Sequence, residues 1–125
     1  IREAKRAVEK HPESAILARC GGNPEKINAK IVIDCAKEGD ATAKQVFDDY
    51  VKALAHGIVS IFNMLDPEVI VLGGGVSMAG EYLLDAVRAA VKPLVFFKTL
   101  PYPSIQLARL GADAGIIGAA LLGRA

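Results

Sequence analysis

Asp66–Pro67–Glu68–Val69–Ile70–Val71–Leu72–Gly73–Gly74–Gly75–Val76–Ser77 is where the pattern of this chain changes. Pro67 closes a helical segment, and the four apolar residues after Glu68, three of them β-branched, suit a buried strand. Three glycines then break the pattern before a new helical period begins. Glycine is tolerated where the backbone must turn sharply or let another group come close. A glycine turn between a strand and a helix N-terminus presents backbone N–H groups and the positive end of a helix dipole. Gly73, Gly74 and Gly75 are therefore a candidate site for a nucleotide or another anion. The same residues also fit a tight β–α turn whose glycines serve packing alone.

The spacing excludes two phosphate motifs. A dinucleotide fingerprint starting at Gly73 needs a glycine at position 78, where Met78 stands. Gly75 and Gly80 have the separation of a phosphate loop, but Glu81 and Tyr82 occupy the places of its Lys and Ser/Thr. A carboxylate there repels a triphosphate.

Upstream of the glycines, Asp40 caps the longest predicted helix, which runs to about Leu65. Phe47, Val51, Leu54, Ile58, Ile61 or Phe62, and Leu65 form its inward stripe. Such a helix spans about 37 Å. Gly57, with Ala53 before it and Ser60 after, forms a small-residue strip where another backbone could approach. His56 on the same helix has no catalytic partner placed by the sequence and reads as structural, while His11 reads as a solvated loop residue. A shorter helix over 29–38, capped by Asn28 and stopped by Gly39, buries Ile31, Val32 and Cys35. Before it come a loop at Cys20–Pro24, a turn or two at Ala15–Ala18, and a first helix from Ile1 to Lys10 with Ala4, Val8 and Ile1 on one face.

Downstream, a helix from about Ala79 or Gly80 to Lys92 faces Leu83, Leu84, Val87 and Val91 inward. Pro93 and Pro101–Tyr102–Pro103 bracket a loop, with a final turn through Val95–Phe96–Phe97. Ser104–Ala108 alternates as a second strand, and strand–helix–strand order favours a parallel crossover. A last helix opens at Gly111–Ala112–Asp113 and runs through Leu122. Its Gly115, Gly118 and Ala119 suit close packing, and Asp113 suits either a ligand contact or stabilisation of the helix N-terminus.

The 125 residues fit one domain, and 52% hydrophobic with 23% charged residues is a globular composition. A net charge of +1 gives no electrostatic reason for a nucleic-acid or anionic-membrane partner. Charged residues crowd into the helices before the glycine loop. Cys20 and Cys35 match neither a CxxC nor a zinc pattern, and reduced thiols in a cytoplasmic protein are the expectation. No apolar run reaches membrane-spanning length. Ile1 already stands in a helical pattern without a methionine, as in a piece of a longer chain.

Three blocks together carry a family likeness. Asp66–Ser77 resembles the nucleotide-side glycine loop of the ROK family of sugar kinases, repressors and related proteins. Gly111–Leu122 is similar to that family's C-terminal helix, and Asn28–Leu65 to the segment leading into the loop. The bacterial glucokinase branch is the nearest likeness. The resemblance implies an α/β fold, the helix-rich C-terminal part of an actin-like ATPase (ribonuclease-H-like) lobe with a short parallel sheet. Residues 1–65 would be its mainly helical part and 66–125 a β-α-β-α nucleotide-side unit.

It also implies an ATP-dependent hexose kinase, with Gly73, Gly74, Gly75, Val76 and Ser77 on the adenosine side of the nucleotide. ATP, Mg²⁺ and a hexose would bind the parent protein, itself a homo-oligomer, which could hold a structural zinc. The family's Asp-x-Gly phosphate motif, catalytic aspartate, sugar-contacting Glu and His, and cysteine-rich zinc motif have no counterpart in these residues. No catalytic residue is therefore assigned, and this stretch alone is expected to be inactive. The alternatives are the sugar-sensing lobe of a transcriptional repressor, the one reading with a nucleic-acid partner, or a kinase for fructose or N-acetylmannosamine.

Overall fold

The computed structural model describes residues 1–96, 102–110 and 113–123. Phe97 and Pro101, read as part of a loop, and Gly111 and Ala112, read as opening the last helix, lie outside the described residues. The chain divides into two compact units, Ile1–Leu54 and Ala55–Ala125.

The first unit is helical: α1 (Arg2–Lys10), α2 (Ala15–Arg19), a 3₁₀ turn (Pro24–Lys26), α3 (Ala29–Lys37) and the opening of α4 (Ala41–Leu65). α1 buries Ala4 and Val8, as their spacing of four predicts. Ile1, expected on the same face, is exposed because it is the capping residue before the first helical position. Ser14 caps α2, its Oγ accepting from the Ile16 N–H. Asn28 caps α3 in the same way, accepting from the Ile31 N–H at 3.0 Å. α3 packs against α2 and buries Val32, Ile33, Cys35 and Ala36. The expected Ile31 is half-buried, since the inward stripe includes Ile33 instead. Gly39, at φ 95°, ends the helix in a conformation that favours glycine.

Asp40 joins two helix starts. Its carboxylate accepts from the Ala43 N–H at 2.7 Å, the Ala15 N–H at 2.8 Å and the Ser14 hydroxyl at 3.0 Å. Burial alone would raise its pKa. The bonds from Ala43, Ala15, Ser14 and Thr42 outweigh that effect and hold the carboxyl below its ordinary value. Cys20 and Cys35 are buried free thiols, and burial pushes the Cys35 pKa up.

The second unit contains the end of α4, β1 (Val69–Leu72), a 3₁₀ turn (Gly75–Ala79), α5 (Glu81–Val91), β2 (Ser104–Leu107) and α6 (Ala114–Leu122). β1 and β2 are parallel, with Val69 opposite Ser104 and Leu72 opposite Leu107. Bonds from Ser104 N–H to Glu68 O, 2.9 Å, and from Ala108 N–H to Leu72 O, 2.8 Å, extend the ladder at both ends. α5 packs on β2 and buries Leu83, Leu84, Val87 and Val91, the four residues its period selects. Arg88 Nη2 donates to the Ile105 carbonyl at 2.8 Å, tying the helix to the strand.

Four expectations need correction. β1 is not fully buried: Val69 and Val71 are exposed, while Ile70 and Leu72 share a face with buried Ile105. Among the described residues, a helix on one side of a two-stranded sheet leaves Val69 and Val71 on the other side uncovered. Phe62, not Ile61, faces inward from α4, and Leu65, the last helical residue, is exposed. The strip at Ala53, Gly57 and Ser60 is exposed, and a Cβ on Gly57 would meet no atom within 4 Å, so no backbone approaches it among the described residues. Gly115, Gly118 and Ala119 of α6 are likewise exposed.

Asp113 stands at the α6 cap without a side-chain bond, because its helical φ −83°, ψ −9° differs from the extended backbone of a capping residue. Among the described residues, no helix is long and apolar enough to cross a membrane.

Candidate functional site

The glycine loop leaves the carboxyl end of β1, beside the carboxyl end of β2. Crevices at that edge of a parallel sheet are where ligands of open α/β folds bind. Gly73 lies against β2's exit: a Cβ placed on it would come 3.6 Å from the Ala108 Cβ. Gly74 follows at φ 79°, ψ −175°, a region open essentially to glycine alone. Ser77 clasps the turn from below. Its Oγ donates to the Gly74 carbonyl at 2.7 Å, and its N–H donates to the same oxygen at 3.1 Å.

Of the five predicted residues, the fold thus joins Gly74 to Ser77 directly. Gly73, Gly74 and Gly75 are exposed, Val76 is half-buried and Ser77 is buried. Among the described residues nothing lies within 4 Å of a Cβ on Gly74 or Gly75, so open space faces the backbone there.

α5 begins at Glu81, close to the start near Ala79 or Gly80 that its period predicts, so the glycines do not run straight into it. The five-residue 3₁₀ turn Gly75–Ala79 stands between them, and Gly80, at φ 66°, makes the second bend. Glu81 places a carboxylate in the first turn of α5. Its charge already answers that helix dipole, so a phosphate has little to gain there. The exposed glycine backbone suits the uncharged portion of a ligand better than its anionic portion. Ser77, followed by a second glycine three residues later, was the available sequence signal for an extra turn. Ala108 carried none, because its closeness to Gly73 depends on strand register.

A concavity of about 420 Å³ in this unit, lined by Arg88, Lys92, Tyr102 and Ser104, is at the amino end of β2, away from the loop. His56 is exposed on α4, and His11 bonds Glu13 at 3.2 Å.

Two parallel strands, a crossover helix and a glycine loop at their carboxyl edge make up an open α/β unit. The model of the ROK family matches residues 9–125, and the chain belongs to that family. It is 34% identical over 120 residues to a glucokinase of Thermotoga maritima, covering 96% of this chain and 38% of that protein. It is 38% identical over 112 residues to an N-acetylmannosamine kinase of Yersinia pseudotuberculosis, covering 90% and 37%.

The crystal structure of a ROK family glucokinase from Streptomyces griseus, in complex with glucose and AMPPNP, matches with a TM-score of 0.88. Its sequence identity is 31%, with 98% of this chain and 40% of that one covered. The fold is therefore a helix-rich part of an actin-like ATPase lobe with a short parallel sheet. The chain spans about two-fifths of the length of these relatives.

Proposed function

We propose that the whole protein is an ATP-dependent hexose kinase, a glucokinase, and that this chain forms the adenosine-side wall of its nucleotide cleft. The observation that carries this reading is the likeness, at a TM-score of 0.88, to the glucokinase from Streptomyces griseus in complex with glucose and AMPPNP. Residues 1–65 would be the mainly helical part of the C-terminal lobe and 66–125 its nucleotide-side unit. Gly73, Gly74 and Gly75 would lie under the adenosine, with Val76 and Ser77 holding the turn.

The chemistry divides accordingly. Phosphoryl transfer needs a positioned base and charge neutralisation at the phosphates. Among the described residues no three His, Cys, Asp or Glu side chains gather to hold a metal ion. Mg²⁺, and a structural zinc if there is one, belong in this reading to the whole protein. The role of this chain is binding and orientation of the nucleotide. A homo-oligomer in the cytoplasm is part of the same reading.

The whole protein should release ADP from Mg-ATP only when a hexose is added, with glucose the preferred sugar among glucose, fructose and N-acetylmannosamine. The 125-residue chain alone should show no turnover. A coupled assay for ADP measures both. Sugar-sensitive DNA binding without ADP release would instead indicate a repressor.

A further inference from the structure

Three residues complete each turn of a 3₁₀ helix, so side chains three apart stand in one column. The turn Gly75–Ala79, with Gly80 after it, sorts its residues by this rule. Val76 and Ala79 form a column turned toward protein, half-buried and buried, as do Ser77 and Gly80, buried and half-buried. Gly75 and Met78 form the third column, and both are exposed, Met78 to 80%. Exposed apolar side chains are common on protein surfaces. Met78 differs by its place: it stands over Gly75, whose Cβ position faces open space, at the carboxyl edge of the parallel strands.

We infer that Met78 is a binding contact for the flat face of the nucleotide's base, laid across the Gly75 backbone beside the methionine thioether. This rests on the nucleotide reading of the glycine loop and adds a specific residue to it. A thioether is polarisable, unbranched and favourable beside an aromatic ring, and it adapts to the ring it meets. The contact recognises an aromatic base and is indifferent to the phosphates. Gly75 complements it, because a side chain at that position would stand in the same column and occupy the same space.

The test uses the full-length protein and two competitors of ATP, adenosine and inorganic tripolyphosphate. Met78→Ala should weaken inhibition by adenosine about three- to tenfold. Inhibition by tripolyphosphate and the KM for hexose should stay unchanged, with Tm as in the parent. Met78→Leu, which restores apolar bulk, should recover most of the adenosine affinity. Gly75→Val, whose backbone is not in the left-handed region and whose surroundings are open, serves as the control for the loop itself. Weakened adenosine binding in Gly75→Val but not in Met78→Ala would overturn the inference and leave the loop reading standing. Wild-type adenosine affinity in both variants would overturn both. An equal loss for adenosine and tripolyphosphate in Met78→Ala would also overturn the inference, because a base contact cannot act on a ligand without a base.

Discussion

Asp40→Ala is expected to destabilise the chain by about 2–4 kcal/mol, a large loss for a single replacement. The carboxylate caps α4 through the Ala43 N–H and also receives the Ala15 N–H and the Ser14 hydroxyl at the start of α2. Losing a cap costs roughly 0.5–2 kcal/mol, and hydrogen bonds to a charged group contribute about 1.5–3 kcal/mol. The two contributions overlap, so their full sum is not expected. Asp40→Asn keeps a good capping side chain and should lose less.

The pH dependence gives a second readout. The folded carboxyl is held below its ordinary value, so its stabilising contribution is present in full above the unfolded pKa, about 3.9. It is lost as pH falls through the folded pKa. In denaturant melts, the stability difference between wild type and Asp40→Asn should be constant near neutrality and shrink below about pH 4. A difference that does not change down to strongly acidic pH would show that the charge contributes nothing.

Gly74→Val should produce the other large effect, in the function of the whole protein. At φ 79° and ψ −175° a branched residue is strained, at a cost of about 1–3 kcal/mol. Since a Cβ there meets no atom within 4 Å among the described residues, the stability loss comes from the backbone and not from a clash. The same open space is where the adenosine is proposed to lie. The KM for ATP should therefore rise on the order of tenfold, equivalent to about 1.4 kcal/mol, with the KM for hexose little changed. Gly75→Ala provides the comparison: its backbone has no positive φ, so its stability should stay within about 0.5 kcal/mol of wild type. A packing turn would give lost stability in Gly74→Val with unaltered ATP affinity in the protein that remains folded.

Much of the fold was legible because local signals agreed. Asn28 and Asp40 cap where their residue types indicate, Gly39 ends α3, and the four inward residues of α5 follow from its period. The parallel pair emerged from strand–helix–strand order alone. What was missed depends on neighbours that sequence pattern does not supply. Val69 and Val71 have the residue type of a buried strand, yet burial requires a layer on each face. Gly57, Gly115 and Gly118 permit close packing without producing it.

At the loop, the three glycines marked the position, while the clasp of Ser77 on the Gly74 carbonyl depends on the turn geometry. The 3₁₀ turn that separates them from α5 follows from two positive-φ glycines, Gly74 and Gly80, whose conformations are tertiary facts. That turn changes the chemistry of the loop. It moves the glycines away from a helix dipole already answered by Glu81 and leaves Met78 beside the open face of Gly75.

The account places the adenosine portion of ATP on the Gly73–Ser77 turn, and backbone amide shifts report on that most directly. In the full-length protein with saturating hexose, titration with AMPPNP should move the amide resonances of Gly73, Gly74, Gly75 and Val76 along a single saturable curve. Removing the base, with tripolyphosphate in place of the nucleotide, should leave those four amides near their free positions. Saturable AMPPNP binding that shifts other residues and leaves these four amides unmoved would contradict the account.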